Sequence, residues 1–99
     1  MSIDSFEAFQ KIIKSKNLLK KYGLDQIGVF GSFARGEPAK DIDIYLDIDT
    51  YKIDTLIKFK KELEKISNKE VDLILKKYAN PIILYRAQKD MRYVTGQKE

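Results

Sequence analysis

Residues 27–47 decide the predicted fold, and they read IGVFGSFARGEPAKDIDIYLD. The first four form a short apolar run of the kind that is typical of a buried strand. Gly31-Ser32 follow at once, and Phe33-Ala34-Arg35-Gly36 are compatible with a short helical turn. After a polar loop, apolar and polar residues alternate from Asp41 to Asp47, which predicts a half-buried strand. The stretch therefore predicts two strands joined by a turn and a short loop.

The flanking sequence predicts three helices and one further strand. The first helix is expected from Ser5 to Tyr22, capped by Asp4 or Ser5 and ended by Gly23. The second is expected from Thr50 to Ser67, capped by Asp49 or Thr50, and a strand from Val71 to Leu75 follows it. The third helix is expected from Pro81 to about Val94, capped by Asn80. The tail from Thr95 to Glu99 is expected to fray. This order predicts an α/β (α+β) fold, in which helices cover one face of a small mixed sheet with three strands or slightly more.

The composition bounds the class of protein. With 99 residues, 43% hydrophobic and 34% charged, we expect one globular domain over residues 1–99. The chain has no Cys and no His, which excludes disulfides, thiolate chemistry and Ser-His or Cys-His nucleophiles. Any catalysis therefore rests on carboxylates, lysines, arginines, hydroxyls or a hard metal ion. No long apolar stretch or signal-like start occurs, so membrane spanning and secretion are disfavoured and a cytoplasmic location is expected.

The charge balance is basic but carries little information by itself. A net charge of +4 suits a nucleotide or nucleic-acid partner. The nineteen cations are spread along the chain, however, and lysine enrichment more often serves solubility. Because the sequence contains no recognition helix or RNA-binding motif, direct nucleic-acid binding is not expected.

Three aspartates are candidate metal ligands. Asp41 and Asp43 lie two residues apart on a predicted strand, so their carboxylates project from the same face, although a solvent-facing strand would show the same pattern. Asp72 interrupts an otherwise apolar strand, so it either surfaces at a sheet edge or pairs with a cation such as one of the lysines. If the two strands are neighbours, the three carboxylates converge, and Mg²⁺ is the cation that suits such a group.

Gly31 and Ser32 form a candidate phosphate-binding turn. A glycine directly after a buried strand lets a phosphate approach the backbone, and the Ser32 hydroxyl can donate a hydrogen bond to it. The alternative is an ordinary turn with a helix cap. The turn is not a Walker A loop, because no Gly-Lys-Ser/Thr follows at the required spacing.

Taken together, residues 30–36, 41–44 and 71–73 resemble the polymerase-β-type nucleotidyltransferase superfamily, and most closely its minimal nucleotidyltransferase branch. Members of that branch are often antitoxins encoded beside HEPN-domain ribonuclease toxins. The resemblance covers nearly the whole chain, and it implies a polymerase-β-like core. It also implies one or two Mg²⁺ ions, ATP as the nucleotide donor, and a HEPN toxin as partner and acceptor, with which the chain would form a hetero-oligomer.

The resemblance also assigns roles to individual residues. Asp41 and Asp43 correspond to the metal-binding pair, and Asp72 to the third carboxylate, which helps to hold the catalytic metal and activates the attacking hydroxyl. Gly31 and Ser32 correspond to the triphosphate-binding element. Arg35 is similar to an arginine in the same short helix of the branch, where it would contact phosphate or pin the loop. The implied reaction moves AMP from ATP onto a hydroxyl of the toxin, with a tyrosine as the expected acceptor.

Two features depart from the family pattern and motivate a second hypothesis. Only residues 33–40 separate Ser32 from Asp41, a shorter loop than is common, and Lys40 stands where Ser is usual. A shorter loop could displace the triphosphate relative to the metals, and a displacement of about 1 Å can cost on the order of a hundredfold in rate. The alternative is a non-catalytic module that neutralises its partner by contact alone. The segment from Tyr85 to Tyr93 would serve it, since Tyr, Arg and Met are enriched at interfaces, although an ordinary packed helix explains the same residues.

Overall fold

The computed structural model describes residues 3–96. The helices are α1 (Phe6–Ser15), α2 (Leu18–Lys21), α3 (Gly31–Ala34), α4 (Ile53–Ser67) and α5 (Pro81–Gln88). The strands are β1 (Gln26–Phe30), β2 (Asp41–Leu46), β3 (Glu70–Leu75) and β4 (Arg92–Thr95), and a 3-10 turn covers Lys76–Tyr78. None of the helices in this part of the chain has the length and apolar character needed to cross a membrane.

The four strands form one mixed sheet in the order β3-β2-β1-β4. β1 pairs with β2 and with β4 in the antiparallel sense, whereas β2 and β3 are parallel and joined through α4. β1 is followed by α3, a short loop and then β2. The two central strands of the sheet therefore come mainly from residues 27–47, the stretch on which the predicted fold was based. The prediction of a small mixed sheet flanked by helices is confirmed.

The main core lies on one face of the sheet. The alternating residues of β2 that point to this face, Ile42, Ile44 and Leu46, are completely buried. They pack against apolar residues of α1, α2 and α4, among which Phe9, Phe59 and Leu63 show no exposed surface. Burial of the helical stripes against the strand face is the main stabilising contribution that this sequence offers.

The opposite face of the sheet is partly covered by α5, which corrects the expectation that helices cover one face only. Phe30, Tyr45 and Ala87 form a second, smaller apolar cluster there. Met91 belongs to its margin, and its sulfur lies so close to Gly28 that a Cβ at this position would collide with it. Elsewhere on this face Asp41 is exposed, and Asp43 is half-buried beside Gly31 at the start of α3.

The ends of the helices follow the capping signals in part. Ser5 caps α1, since its hydroxyl accepts a hydrogen bond from the Ala8 amide at 3.1 Å, and Asn80 caps α5 through the Ile82 amide at 2.8 Å. The expected long first helix is wrong: Asn17 adopts the left-handed conformation (φ 54°) and divides it into α1 and α2. The expected cap of α4 is also wrong, because the helix begins at Ile53 after Lys52 and has no side-chain cap.

The C-terminal segment differs most from the prediction. The helix expected to reach Val94 ends at Gln88, and Arg92–Thr95 form the edge strand β4. Tyr, Val and Thr favour strands, and β1 offers Val94 an apolar position opposite Ile27, where it is fully buried. Thr95, expected in a frayed tail, belongs to this strand, and residues 97–99 of that tail lie outside the described residues.

Val94 provides a direct test of this arrangement. Val94→Ala is expected to lower the free energy of unfolding by about 2 kcal/mol, because it leaves a small cavity in the main core. Urea denaturation measures the change, with Thr95→Ala as the control, since Thr95 is on the same strand but exposed. Equal losses of unfolding free energy in the two variants would contradict the burial of Val94 in the core.

Candidate active site

The predicted carboxylates lie together on the sheet face that carries no main core. β2 and β3 are parallel neighbours, and their register places Asp43 opposite Asp72. Asp41 precedes Asp43 by two residues and therefore shares its face. Asp41 and Asp72 are exposed, whereas Asp43 is half-buried between them. The structure thus brings all three sequence-predicted aspartates to one patch.

Burial and mutual repulsion both act on the carboxylates of the patch. Burial raises the pKa of Asp43, and the neighbouring charges of Asp72 and Asp41 raise it further, as does a side-chain hydrogen bond with Asp72. Carboxylates this close favour either a shared proton or a cation between them. Either a proton or a cation would therefore relieve the repulsion in the patch.

Asp72 avoids the cost of burial by its position in the sheet. β3 is an edge strand, and the Asp72 side chain is exposed while its neighbour Val71 is buried. Asp72 therefore surfaces at the edge of the sheet, which is one of the two explanations that the sequence left open. No ion pair of Asp72 with a lysine occurs among residues 3–96.

Gly31 brings the turn after β1 directly onto the carboxylates. It adopts a left-handed conformation (φ 78°), which glycine tolerates and other residues disfavour. A Cβ placed on Gly31 would lie 2.5 Å from the Asp43 Oδ2 atom, closer than van der Waals contact allows. The glycine therefore serves both the backbone geometry and the close approach of the turn to Asp43.

The short helix α3 is held in place by its buried residues. Phe33 and Ala34 are buried, and the Phe33 ring meets Phe9 edge-on at a centroid distance of 5.7 Å. Ser32 is half-buried beside them, and its hydroxyl takes part in none of the hydrogen bonds within the described chain. Ser32 thus lies on an anchored helix, directly after the glycine that approaches Asp43.

Arg35 is engaged in an ion-pair network at the end of this helix. Its Nε and Nη2 atoms donate to the two Glu37 carboxylate oxygens at 3.0 and 3.1 Å, and its Nη1 donates to Asp90 Oδ2 at 2.7 Å. Asp90 lies between α5 and β4, so the pair connects the turn to the C-terminal part of the chain. Sequence reasoning missed Asp90, because a contact across 55 residues leaves no local pattern.

The loop that follows is short and well connected. The Glu37 amide donates to Ser32 O at 3.0 Å, and the Lys69 ammonium donates to Ala39 O at 2.7 Å. The Glu70 amide donates to Lys40 O at 3.2 Å, which joins the start of β3 to the start of β2. The loop is therefore tied to α3 near its start and to the beginning of β3 at its end.

The three aspartates provide the oxygen donors that a hard cation requires, and their mutual repulsion favours one. In the part of the chain that the structure describes, however, no three acidic side chains are close enough to form a complete metal-binding group. Asp72 already lies close enough to Asp43 for a side-chain hydrogen bond, so a shared cation would need the exposed Asp41 carboxylate to join this pair.

Comparisons with known proteins agree with this geometry. The family model described as polymerase beta, nucleotidyltransferase matches residues 10–99. The protein adenylyltransferase MntA of Thermococcus cleftensis is 31% identical over 99 residues, covering 95% of this chain and 100% of the relative. A protein of Methanocaldococcus jannaschii, provisionally named a protein adenylyltransferase, is 39% identical over 88 residues, covering 82% of this chain and 88% of the relative.

Solved structures share the fold. A mutant of the toxin–antitoxin pair MntA-HpeT contains a chain that matches with a TM-score of 0.67 and 25% identity, covering 89% of this chain and 72% of that one. The complex of a tri-AMPylated Shewanella oneidensis HEPN toxin with its MNT antitoxin matches with a TM-score of 0.66 and 21% identity, covering 92% of this chain and 72% of that one. At this level of identity, the second likeness shows the fold.

Proposed function

The chain belongs to the polymerase beta nucleotidyltransferase family, and we propose that it transfers AMP from ATP to a hydroxyl group of a partner protein. The observation that carries this proposal is the register of β2 and β3, which places Asp43 beside Asp72 and under the Gly31 turn. A relative that matches over its full length is named a protein adenylyltransferase, which supports the choice of reaction. The partner that we propose is a HEPN-domain toxin, and the chain would be its antitoxin.

Each part of the site has a role in this reaction. Gly31 and Ser32 would bind the triphosphate through the backbone amides of the turn and the free Ser32 hydroxyl. Asp41, Asp43 and Asp72 would hold Mg²⁺, which neutralises phosphate charge and lowers the pKa of the acceptor hydroxyl when it is bound. The acceptor oxygen attacks the α-phosphorus in line, the bond to the β-phosphate oxygen breaks, and pyrophosphate leaves. Asp72 is the exposed carboxylate that would take the acceptor's proton.

A transfer assay tests this proposal. The protein is incubated with Mg²⁺, α-labelled ATP and a purified HEPN toxin encoded beside it, and label on the toxin is measured. Asp41→Asn and Asp43→Asn are expected to abolish transfer. Asp47→Asn is the matched control, because Asp47 follows β2, alternates onto the same face and pairs with Lys76 at 3.3 Å instead. Transfer that survives both substitutions would contradict the metal-site assignment.

Arg35 is proposed as a positioning residue as well as a phosphate contact. Because Asp90 and Glu37 already engage its guanidinium, its first effect would be to hold the Gly31-Ser32 turn in place. Arg35→Ala and Asp90→Asn are each expected to raise KM for ATP by roughly threefold to tenfold, since small displacements of a bound substrate are costly. The double variant is expected to be no worse than Arg35→Ala alone, because the two residues act as a pair. Steady-state kinetics measure the effect, and additive losses would contradict a shared role.

A second candidate function, neutralisation of the partner by contact alone, is favoured by an exposed apolar surface. Tyr78, Ile82, Ile83 and Tyr85 are 69%, 65%, 53% and 66% exposed. They lie on α5 and the turn before it, and α5 packs on the sheet face that also carries the aspartates. Apolar residues grouped in this way mark interaction sites. A toxin bound to this surface would lie next to the carboxylates, so the surface serves either function.

Substitutions on α5 test the surface. Ile82→Glu and Tyr85→Ala are each expected to weaken the complex with the toxin by roughly tenfold to thirtyfold, as is typical of apolar and tyrosine anchors. Ile57→Glu on α4 is the control, because Ile57 is 45% exposed but lies on another helix. Titration calorimetry gives the affinity and the labelling assay gives transfer. If Asp43→Asn neutralises the toxin fully without transfer, contact alone suffices.

A further inference from the structure

A cleft of about 810 Å³ lies among the helices, on the side of the sheet opposite the aspartates. It is lined by five lysines: Lys16, Lys21, Lys58, Lys61 and Lys65. The first two come from α2 and the connection before it, and the other three come from α4. The fold therefore brings five of the nineteen cations of the sequence together around this cleft.

The arrangement of the lysines on α4 is regular. Lys58, Lys61 and Lys65 are three and four residues apart, so they share one face of the helix and span about 10 Å along it. They take part in no ion pair within residues 3–96, whereas Lys60 on the same helix pairs with Glu64 at 3.5 Å. These three cations of α4 are thus uncompensated, whereas Lys21 on the other side of the cleft pairs with Glu62.

The one acidic residue among the described residues that line the cleft is already neutralised. Glu62 Oε1 accepts hydrogen bonds from the Tyr22 hydroxyl at 2.5 Å and from the Lys21 ammonium at 3.0 Å. These bonds hold the pKa of Glu62 below its usual range. Its carboxylate is therefore ionised near neutral pH, and Lys21 balances its charge. Five positive charges against one negative charge leave the cleft strongly basic.

We propose that this cleft binds the phosphate backbone of a single-stranded nucleic acid. Lysines bind phosphates as point charges without fixed geometry, which suits a backbone of any sequence. The row on α4 is too long for one phosphate and matches a short run of them. Tyr22 and Ile66 also line the cleft, but both are half-buried and pack against the main core, so the lysines carry the proposal. Since the aspartates lie on the opposite face, such a strand would not compete with the proposed transfer reaction.

Binding of a fluorescein-labelled RNA of about 12 nucleotides, a length within the usual site size of a single-strand binding groove, tests this proposal by fluorescence anisotropy. The titrations are run in EDTA at low and at high NaCl concentration. Lys61→Gln/Lys65→Gln is compared with Lys77→Gln/Lys89→Gln, which removes the same charge from residues outside the cleft. The cleft variant is expected to lose on the order of tenfold in affinity at the lowest salt, and its slope of log K against log salt is expected to fall by about 1.4, at roughly 0.7 per lost phosphate contact. Circular dichroism confirms that both variants fold.

Three results would overturn the proposal. Wild-type protein without measurable affinity at the lowest NaCl concentration would show that the cleft binds no strand. Equal losses in the two double variants would show that net charge alone is responsible. Displacement of the RNA by ATP or by an acidic peptide at a lower concentration than unlabelled RNA would assign the cleft to that ligand. Because EDTA removes the metal and no transfer is measured, failure of the proposed reaction would leave this test intact.

Discussion

Asp43→Asn is expected to reduce AMP transfer by roughly a thousandfold or more while leaving the metal-free protein at least as stable as the wild type. The loss of activity follows from the removal of a proposed metal ligand, which costs more than the loss of a supporting residue. The stability follows from the burial of Asp43 and from its repulsion by Asp72 and Asp41, which together raise its pKa and which a neutral amide avoids.

The pH dependence of the stability distinguishes this explanation from a general effect of the substitution. A raised pKa means that folded Asp43 holds its proton more tightly than the unfolded chain does. This contribution to stability is present at low pH and is lost as pH rises from the unfolded pKa through the folded pKa. In EDTA, the advantage of Asp43→Asn in thermal unfolding is therefore expected to be larger at about pH 7 than at about pH 4. A gain in thermal stability that is the same at both pH values would contradict the explanation by the charge of Asp43.

Added Mg²⁺ provides a second readout that needs no partner protein. A ligand that binds only the folded state adds about 2.7 kcal/mol at a hundred times its Kd. Wild-type protein is expected to gain melting temperature as Mg²⁺ is titrated, and Asp43→Asn is expected to gain much less. Asp47→Asn is expected to respond like the wild type.

Gly31→Ala is expected to have the second-largest effect, because it acts on the backbone and on the site together. An alanine in the left-handed conformation costs about 1–2 kcal/mol. Its methyl group would also lie 2.5 Å from Asp43 Oδ2, so the carboxylate or the turn has to move. We expect a lower free energy of unfolding and a loss of transfer of roughly a hundredfold, as a displacement of about 1 Å brings. Urea denaturation and the labelling assay measure the two effects.

Gly36→Ala separates the two contributions. Gly36 has a similar φ of 80°, and nothing lies within 4 Å of a Cβ placed there. The substitution therefore carries the same backbone cost without a contact with Asp43. Similar destabilisation with nearly full activity would assign the loss in Gly31→Ala to the close approach, whereas equal losses of activity would contradict that assignment.

The sequence predicts the centre of the fold because local pattern and tertiary position agree there. The apolar run before Gly31 and the alternation after Asp41 each match the burial that the sheet imposes. Asp72 was recognisable for the same reason. Burial of an unpaired carboxylate is costly, so a carboxylate inside an apolar strand has to reach solvent, and the edge of the sheet allows this.

The parts that escaped prediction depend on contacts between distant residues. Residues 92–95 contain strand-favouring Tyr, Val and Thr, but no turn signal separates them from the predicted helix before them, and the free edge of β1 decides that they form a strand. Asp90 acquires a role only when it meets Arg35, and the lysine cleft exists only when α2 and α4 are packed together. None of these contacts has a periodicity or a motif that a single sequence displays.

The position of β4 at the end of the sheet has a consequence for biosynthesis. β1 is translated early, and its hairpin with β2 can close soon afterwards, but its other edge has no partner until residue 95 has left the ribosome. Until then an apolar strand edge remains open, which is the state in which nascent chains associate wrongly. Asp90, which joins the Arg35 network, arrives in the same late segment. Completion of the sheet and the Arg35–Asp90 support of the Gly31-Ser32 turn therefore depend on one segment, which is translated after β1, β2 and β3.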